Sequence, residues 1–218
     1  MGATATGVRA PSGMIAATSA MLALQDEMNS RVDPDWMTRE RAWYRAIWIE
    51  CAELMDHYGG WKWWKASHQD LEQVMLEIVD IWHFGLSIRI PADRNYDAAA
   101  ERIVEEWLAP LPTAGFLRDV EALAAHALSR HDCLVPIVPA LLAGIGRDFD
   151  ALYRSYVGKN VLNFFRQDHG YREGSYRKLW QGREDNVHLV EVLAEMTAGA
   201  GDLRAQVYAA LAERYAAD

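Results

Sequence analysis

The sequence has few cysteines, no excess of positive charge and no long uninterrupted apolar segment. Its 218 residues contain two cysteines, Cys51 and Cys133, without metal-site spacing, so neither a disulfide framework nor a zinc site is predicted and a reducing, cytoplasmic setting is expected. Lys plus Arg number 22 against 31 Asp plus Glu, a net charge of −9 that disfavours nucleic-acid and anionic-membrane partners. The uncharged stretch 133–146 contains two prolines and is too short to span a membrane.

The N-terminal region carries only weak targeting patterns. MGATAT loosely matches a myristoylation signal, and residues 14–24 could pass for a short apolar signal region, but that run continues directly into helical spacing. We therefore predict a disordered segment over 1–13 and a single domain over 14–218.

Apolar residues recur at helical spacing along most of the chain, and no segment shows sustained alternation with a hairpin turn. Asp35 is expected to cap the second helix, Gly59-Gly60 to end it, and Pro91 to stop the third. The predicted helices are 14–30, 35–58, 67–90, 95–109, 114–130, 136–167, 186–197 and 202–216. The sequence thus predicts an all-α protein, with a bundle over 14–90 and later helices, 95–218, closing over it.

Two pairs of acidic residues are the most informative pattern. Glu50 and Glu53 in the second helix, and Glu77 and Asp80 in the third, are each three residues apart and so share a helix face. Apolar residues surround both pairs, and converging carboxylates without cations would lose hydration and repel. A single pair would ordinarily lie on a solvated face; two pairs on successive helices favour a site for Mg²⁺, with Mn²⁺ as a substitute.

A di-iron carboxylate bundle is an alternative, because His57 and His83 follow the acidic residues. Such bundles carry two Glu-x-x-His turns on different helices, and neither histidine has a glutamate three residues before it. Magnesium is therefore favoured over iron.

Four stretches of the chain resemble the dimeric dUTPases, a branch of the all-α nucleoside triphosphate pyrophosphohydrolases that also includes the MazG-like enzymes. The stretches are LQDEMNSRV at 24–32, AIWIECAELMDHYGGWKWWK at 46–65, EIVDIWHFGLS at 77–87 and KNVLNFFRQDHGYREGSYRKLWQGREDN at 159–186. The last is the most specific to the dUTPase branch, while residues 91–150 carry no resemblance.

The resemblance implies hydrolysis of dUTP, and also dUDP, to dUMP with release of pyrophosphate or phosphate. Glu50, Glu53, Glu77 and Asp80 would then hold two or more Mg²⁺ ions, and Glu50 or Glu53 would orient a water molecule and take its proton.

The resemblance also assigns residues to the nucleoside. Gln25 and Asn29 lie four apart on one helix face, and their amides can pair with uracil, although the same pattern fits an ordinary polar face. Further candidates flank the carboxylates or follow them, and several would more commonly be core residues. These substrate candidates are Trp61, Lys62, Lys65, His83 and Phe84.

The segment 159–186 is expected to close over the phosphates, and in the family it also reaches the other subunit of a homodimer. Lys159 begins it, and its basic residues would otherwise be read as a solvated face. Its substrate candidates are Asn160, Asn163, Arg166, Tyr171, Tyr176, Lys178, Arg183 and Asn186.

Other functions remain open from the sequence. A MazG-like pyrophosphohydrolase of broader range would keep the carboxylates without needing the Gln25 and Asn29 pair. A catalytically silent helical partner protein has no energetic reason to retain four converging carboxylates.

Overall fold

The structure is a computed structural model that describes residues 11–196 and 202–217. Nine α-helices lie within this part of the chain, which confirms the all-α class. They are α1 (Pro11–Val32), α2 (Trp43–Tyr58), α3 (Leu71–Arg89), α4 (Tyr96–Trp107), α5 (Phe116–Arg130), α6 (Val138–Gly144), α7 (Phe149–Asp168), α8 (Asp185–Glu195) and α9 (Leu203–Ala216). Of the segment 1–13, residues 1–10 lie outside the described residues, and 11–13 begin α1.

Helix α3 is central, as its apolar residues on all sides predict. It is buried along most of its length and packs against α1, α2, α6, α7 and α8, with α2 as its most extensive neighbour. Its first turn is capped by Asp70, whose side chain accepts a hydrogen bond from the Gln73 amide, so the helix begins at Leu71 rather than near residue 67. This packing places the acidic residues of α2 and α3 together.

The second helix begins later than predicted. Asp35 makes no capping hydrogen bond with its side chain and precedes a short 3₁₀ turn, Trp36–Thr38, with α2 starting at Trp43. The reason is the indole of Trp36, which is buried and donates to Asp26 Oδ1 at 3.0 Å. The chain must turn to bury this ring. The predicted end is confirmed, since Gly59 follows α2 with φ of 75°.

The predicted helix over 136–167 is in fact several elements. A 3₁₀ turn (Val135–Ile137) leads into α6, and Gly146, at φ 69°, separates α6 from α7. Asp148 then caps α7 by accepting from the Ala151 amide at 2.9 Å. The helical periodicity is nearly continuous here, but a glycine with positive φ and a new N-cap interrupt the hydrogen bonds.

The sequence predicted no strands, and this prediction is wrong for one short hairpin. Strands β1 (Leu179–Trp180) and β2 (Arg183–Glu184) pair antiparallel. Gln181 and Gly182 connect them with φ of 50° and 74°, the two positive values of a type I′ turn.

Two hydrophobic clusters stabilise the fold. The larger lies among α1 to α7, and the smaller joins the end of α7 to α8, α9 and Trp180, with Leu76 of α3 as the link. The second cluster therefore fixes the segment 159–186 against α3. Among the helices described, none combines the length and the apolar character needed to cross a membrane.

Candidate active site

Three of the four predicted metal-ligating carboxylates meet where α2 packs on α3. One oxygen each of Glu50, Glu53 and Glu77 lies within 4.8 Å of the others. Glu77 is buried, Glu50 is partly buried and Glu53 is exposed. This set of oxygen ligands, open on one side, fits a hard divalent cation.

The electrostatics of this cluster favour a cation. Burial, followed by the nearby negative charges of Asp80 and Glu77, raises the pKa of Glu50 to about 9. Burial and Asp80 likewise raise the pKa of Glu77 to about 7. A protein without a cation therefore retains a proton between these two side chains, whereas a divalent ion would allow both to ionise.

The fourth carboxylate, Asp80, has a different partner. Its Oδ2 lies 2.7 Å from Nζ of Lys159 on α7, and this ammonium also donates to Asn186 Oδ1 at 3.0 Å. Lys159 is 3% exposed, so the pair has little solvent around it. The interaction connects α3 to the segment 159–186.

The two histidines near the carboxylates differ in their contacts. Nε2 of His57 lies 3.6 Å from Glu77 Oε1. His83 is buried, and its Nδ1 donates to Val79 O at 2.8 Å, so this nitrogen is not available as a ligand. Burial lowers the pKa of His83 to about 4, which keeps the ring neutral. The geometry therefore does not supply the paired imidazoles of a di-iron site.

A cavity of about 870 Å³ lies beside Asp80. Several predicted substrate residues line it, namely Gln25, Asn29, His83, Phe84, Asn163 and Tyr171. Nε2 of His83 has no hydrogen-bond partner within 11–196 and 202–217, although it is buried. A ligand in the cavity can supply the missing partner.

The segment 159–186 contains a buried charged network. The guanidinium of Arg166 donates to both oxygens of Asp185, at 2.8 and 2.9 Å, and to Asn163 Oδ1 at 3.1 Å. The hydroxyl of Tyr176 donates to Asp185 Oδ2 at 2.8 Å. Burial opposes the ionisation of Asp185, but these hydrogen bonds hold its pKa below the ordinary value. Arg166 and Tyr176 are thus held in place by Asp185.

The structure does not bring the Trp-rich connection to this cavity. Trp61 is exposed, and Lys62 pairs with Asp56 of α2. Lys65 is exposed, and Trp63, at 89%, is almost fully so. None of the described lining residues comes from this loop.

Of the candidates in 159–186, only Asn163 and Tyr171 are among the described residues that line the cavity. Arg166, Tyr176 and Asn186 belong to the buried charged network instead. The other three lie elsewhere. Lys178 pairs with Glu184 and Arg183 pairs with Glu191, all at the surface. Asn160 is fully buried, with Nδ2 donating to Leu24 O at 3.3 Å. These positions show that helical spacing alone does not separate residues facing a site from those facing a neighbouring helix.

Sequence reasoning missed several residues of the site. Trp36, Trp43, Arg39 and Arg41 line the cavity, and Trp43 stacks on Phe84 at a centroid distance of 6.2 Å. Their position depends on the turn before α2, which was predicted as helix. Asp185 was also missed. Asp185 directly precedes the candidate Asn186 and follows the turn at Gly182, so its position in the sequence could have suggested a role in the site. Only the fold shows that it is buried against Arg166.

The family comparison settles the family. A family model described as dUTPase matches residues 17–171, more than two thirds of the chain. The chain belongs to the all-α dimeric dUTPase family. It is a dUTP diphosphatase. The match includes 91–150, where the sequence showed no recognisable motif, and it ends before 172–186. No curated protein shows a match to the chain.

Proposed function

We propose that the enzyme hydrolyses dUTP, and also dUDP, to dUMP with release of pyrophosphate or phosphate, in a reaction that depends on Mg²⁺. One observation carries this proposal. Asp80 belongs to the carboxylate group of α2 and α3 and also lines the cavity that contains the amides of Gln25 and Asn29. A nucleotide whose base meets the amides can therefore direct its phosphates towards the carboxylates.

Glu50, Glu53, Glu77 and Asp80 would hold the metal ions. Two or more Mg²⁺ ions, or Mn²⁺, would neutralise phosphate charge and lower the pKa of a water molecule. Lys159 pairs with Asp80 and would place a positive charge beside this ligand.

Glu53 and Glu50 are the two candidates for the residue that activates the water molecule. Glu53 is exposed and can accept a proton from a water molecule that it orients, whereas Glu50 is partly buried. We assign the proton acceptor to one of these two residues. The neutral ring of His83, whose Nε2 can accept a hydrogen bond, and the stacked ring of Phe84 would contact the deoxyribose.

The segment 159–186 would close over the phosphates. Arg166 is oriented by Asp185, and Asn163 and Tyr171 reach the cavity on the same side. We further propose that 14–218 is one domain and that the enzyme is a cytoplasmic homodimer with substrate contacts across the subunits. Membership of the dimeric family supports the dimer, which light scattering tests directly.

The first experiment is the release of dUMP and pyrophosphate from dUTP in Mg²⁺, compared with dUDP, UTP, dTTP and dCTP. We expect turnover of the two uracil deoxynucleotides, loss of activity with a chelator, and loss with Glu53→Gln. Glu72→Gln is the matched control, since Glu72 lies on α3 but pairs with Arg147 at the surface.

Other outcomes would change the proposal. Comparable turnover of dCTP or UTP would replace it with a MazG-like enzyme of broader range. Activity that needs iron, with an iron-dependent absorption band, would instead support the di-iron bundle.

A further inference from the structure

One buried carboxylate on α1 accepts hydrogen bonds from two distant parts of the chain. Asp26 is 6% exposed. Its Oδ1 accepts from the indole Nε1 of Trp36, in the turn before α2, at 3.0 Å. Its Oδ2 accepts from Nε of Arg94 and from the hydroxyl of Tyr96, each at 2.5 Å. Asp26 therefore joins the turn before α2 to the start of α4.

These donors keep the carboxylate of Asp26 ionised and fixed in place. Burial opposes its ionisation, but the hydrogen bonds from Arg94, Tyr96 and Trp36 hold its pKa below the ordinary value. Hydrogen bonds to an ionised acceptor are stronger than those between neutral groups. Because Arg94 and Tyr96 anchor Oδ2, the other oxygen is held in a fixed position opposite the indole of Trp36.

Trp36 connects Asp26 to the cavity of about 870 Å³. Trp36 lines this cavity, whereas Asp26, Arg94 and Tyr96 are not among the lining residues that the structure describes. The indole also meets the ring of Trp43, another lining residue, edge-on at a centroid distance of 6.0 Å. The N–H is the one hydrogen-bonding group of an indole. The bond to Asp26 therefore sets how the ring of Trp36 faces the cavity.

A ring that is held in place before the nucleotide arrives binds it better than a ring that must first be ordered. If the competent position is occupied about a tenth of the time, the apparent affinity falls about tenfold. The turn that carries Trp36 packs on α1, whereas the four carboxylates come from α2 and α3. Disorder of this ring should therefore weaken binding of the substrate and of the transition state equally, which raises KM and leaves kcat unchanged.

We propose that Asp26 is a positioning residue for nucleotide binding, which holds the indole of Trp36 as a preformed wall of the cavity. This inference rests on the proposed binding of the nucleoside in the same cavity. Asp26 acts through Trp36 and does not touch the nucleotide.

The test is a double-mutant cycle that measures kcat and KM for dUTP in Asp26→Ala, Trp36→Phe and the double variant. Asp26→Ala is expected to raise KM about tenfold and to change kcat by less than about twofold. Trp36→Phe removes the indole N–H, so Asp26→Ala should raise KM by less than about twofold in that background. KM does not depend on the folded fraction, so reduced stability does not imitate this result.

Tyr96→Phe is a milder variant, which also provides the test if Asp26→Ala is too unstable to purify. It keeps the carboxylate and removes one bond to Oδ2, so KM should rise about threefold. Asp119→Ala is the matched control. Asp119 is 2% exposed and accepts from Thr113 and from the Ala114 amide, but it is not among the described lining residues. Its loss should lower the melting temperature and leave KM unchanged.

Three results would each overturn the inference. They are an unchanged KM in both Asp26→Ala and Tyr96→Phe, a kcat that falls as much as KM rises, and an equal effect of Asp26→Ala with and without the indole N–H. Gln25→Ala separates this inference from the proposed nucleoside site. If Gln25→Ala raises KM while Asp26→Ala does not, the nucleoside site stands and Asp26 has no role in it. If neither raises KM, the nucleoside site itself is wrong.

Discussion

Two groups of buried charged side chains lie near the cavity, and they differ in whether their charges are compensated. In the first, Glu50 and Glu77 are surrounded by other carboxylates, and their pKa values are raised. In the second, Asp185 accepts two hydrogen bonds from Arg166 and one from Tyr176, and its pKa is lowered. Burial opposes ionisation in both places, so the difference comes from the partners.

This difference separates a site that needs a ligand from a structure that is already complete. In the part of the chain that the structure describes, Lys159 pairs with Asp80 but with none of the other three carboxylates of α2 and α3. In the second group, Arg166 and Asp185 neutralise each other's charge. The remaining nitrogen of the guanidinium, Nη1, donates to Asn163. We infer that the first group binds metal, while the second orients a phosphate-binding side chain.

We call the carboxylates of α2 and α3 the uncompensated group and the Arg166–Asp185 network the compensated group. The largest expected effect is a loss of catalysis when the uncompensated group loses a charge. Glu50→Gln keeps the shape of the side chain but removes a ligand charge, and kcat should fall by about 10³-fold. The same variant should raise the thermal stability of the metal-free protein above neutral pH, because one of the repelling carboxylates is gone. Steady-state kinetics and thermal unfolding in EDTA measure the two effects.

Glu72→Gln is the control for this variant, because Glu72 lies on α3 at the surface. It should change neither quantity noticeably. If Glu50→Gln lowered the stability of the metal-free protein instead, the carboxylates would not be in mutual repulsion and the contrast between the two groups would fail.

The largest expected effect on stability comes from the compensated group. Asp185→Asn leaves the guanidinium of Arg166 buried without its counter-charge, which should cost about 3–5 kcal/mol of unfolding free energy. The KM for dUTP should also rise, because Arg166 is no longer held. Glu184→Gln provides a neighbouring control: Glu184 pairs with Lys178 where both side chains are more than half exposed, so its loss should cost less than about 1 kcal/mol. Urea unfolding compares the two variants.

The pH dependence of stability should have opposite signs in the two groups. The pKa values of Glu50 and Glu77 are raised from an ordinary 4.5 to about 9 and about 7, so the native protein without metal holds more protons than the unfolded chain in that range. Its stability should therefore fall as pH rises from about 5 to 9. The pKa of Asp185 is lowered from 3.8. Its contribution to stability is therefore present above about pH 3.8 and is lost as pH falls below that value.

Magnesium provides the measurement that isolates the first group. Saturating Mg²⁺ should remove most of the decline in melting temperature between pH 5 and 9, because the bound carboxylates are then ionised in the native state. Ca²⁺ at equal ionic strength and a monovalent salt serve as comparisons. A decline that is identical with and without divalent ions would show that it arises elsewhere.

The sequence predicted the uncompensated group better than the compensated one. Glu50, Glu53 and Glu77 are spaced by the helical repeat on two neighbouring helices, so local periodicity and one packing step bring them together. Asp185 meets Arg166 only because the hairpin turn at Gln181 and Gly182 returns the chain onto α7. No periodic pattern reports a contact that depends on such a turn.

The same reasoning explains the errors in the fold. Interior positions of α3 and α4 were predicted well, since apolar periodicity and caps agree there. The start of α2 was wrong because burial of Trp36 outweighed the capping preference of Asp35. That displaced turn carries Arg39 and Arg41 to the cavity, and for this reason the sequence did not identify them as lining residues.

The smallest expected effect tests how far the compensation of Asp185 depends on each partner. Tyr176→Phe removes one of three hydrogen bonds to Asp185 and leaves the two from Arg166, so unfolding free energy should fall by about 1 kcal/mol and the melting temperature by about 2–4 °C. Tyr208→Phe is the matched control, because it removes a similar bond, 3.0 Å to Asp168, at the surface, where water replaces the lost hydroxyl. Equal losses in the two variants would mean that burial does not strengthen the Asp185 network, whereas a larger loss for Tyr176 places the stabilisation in the buried pair.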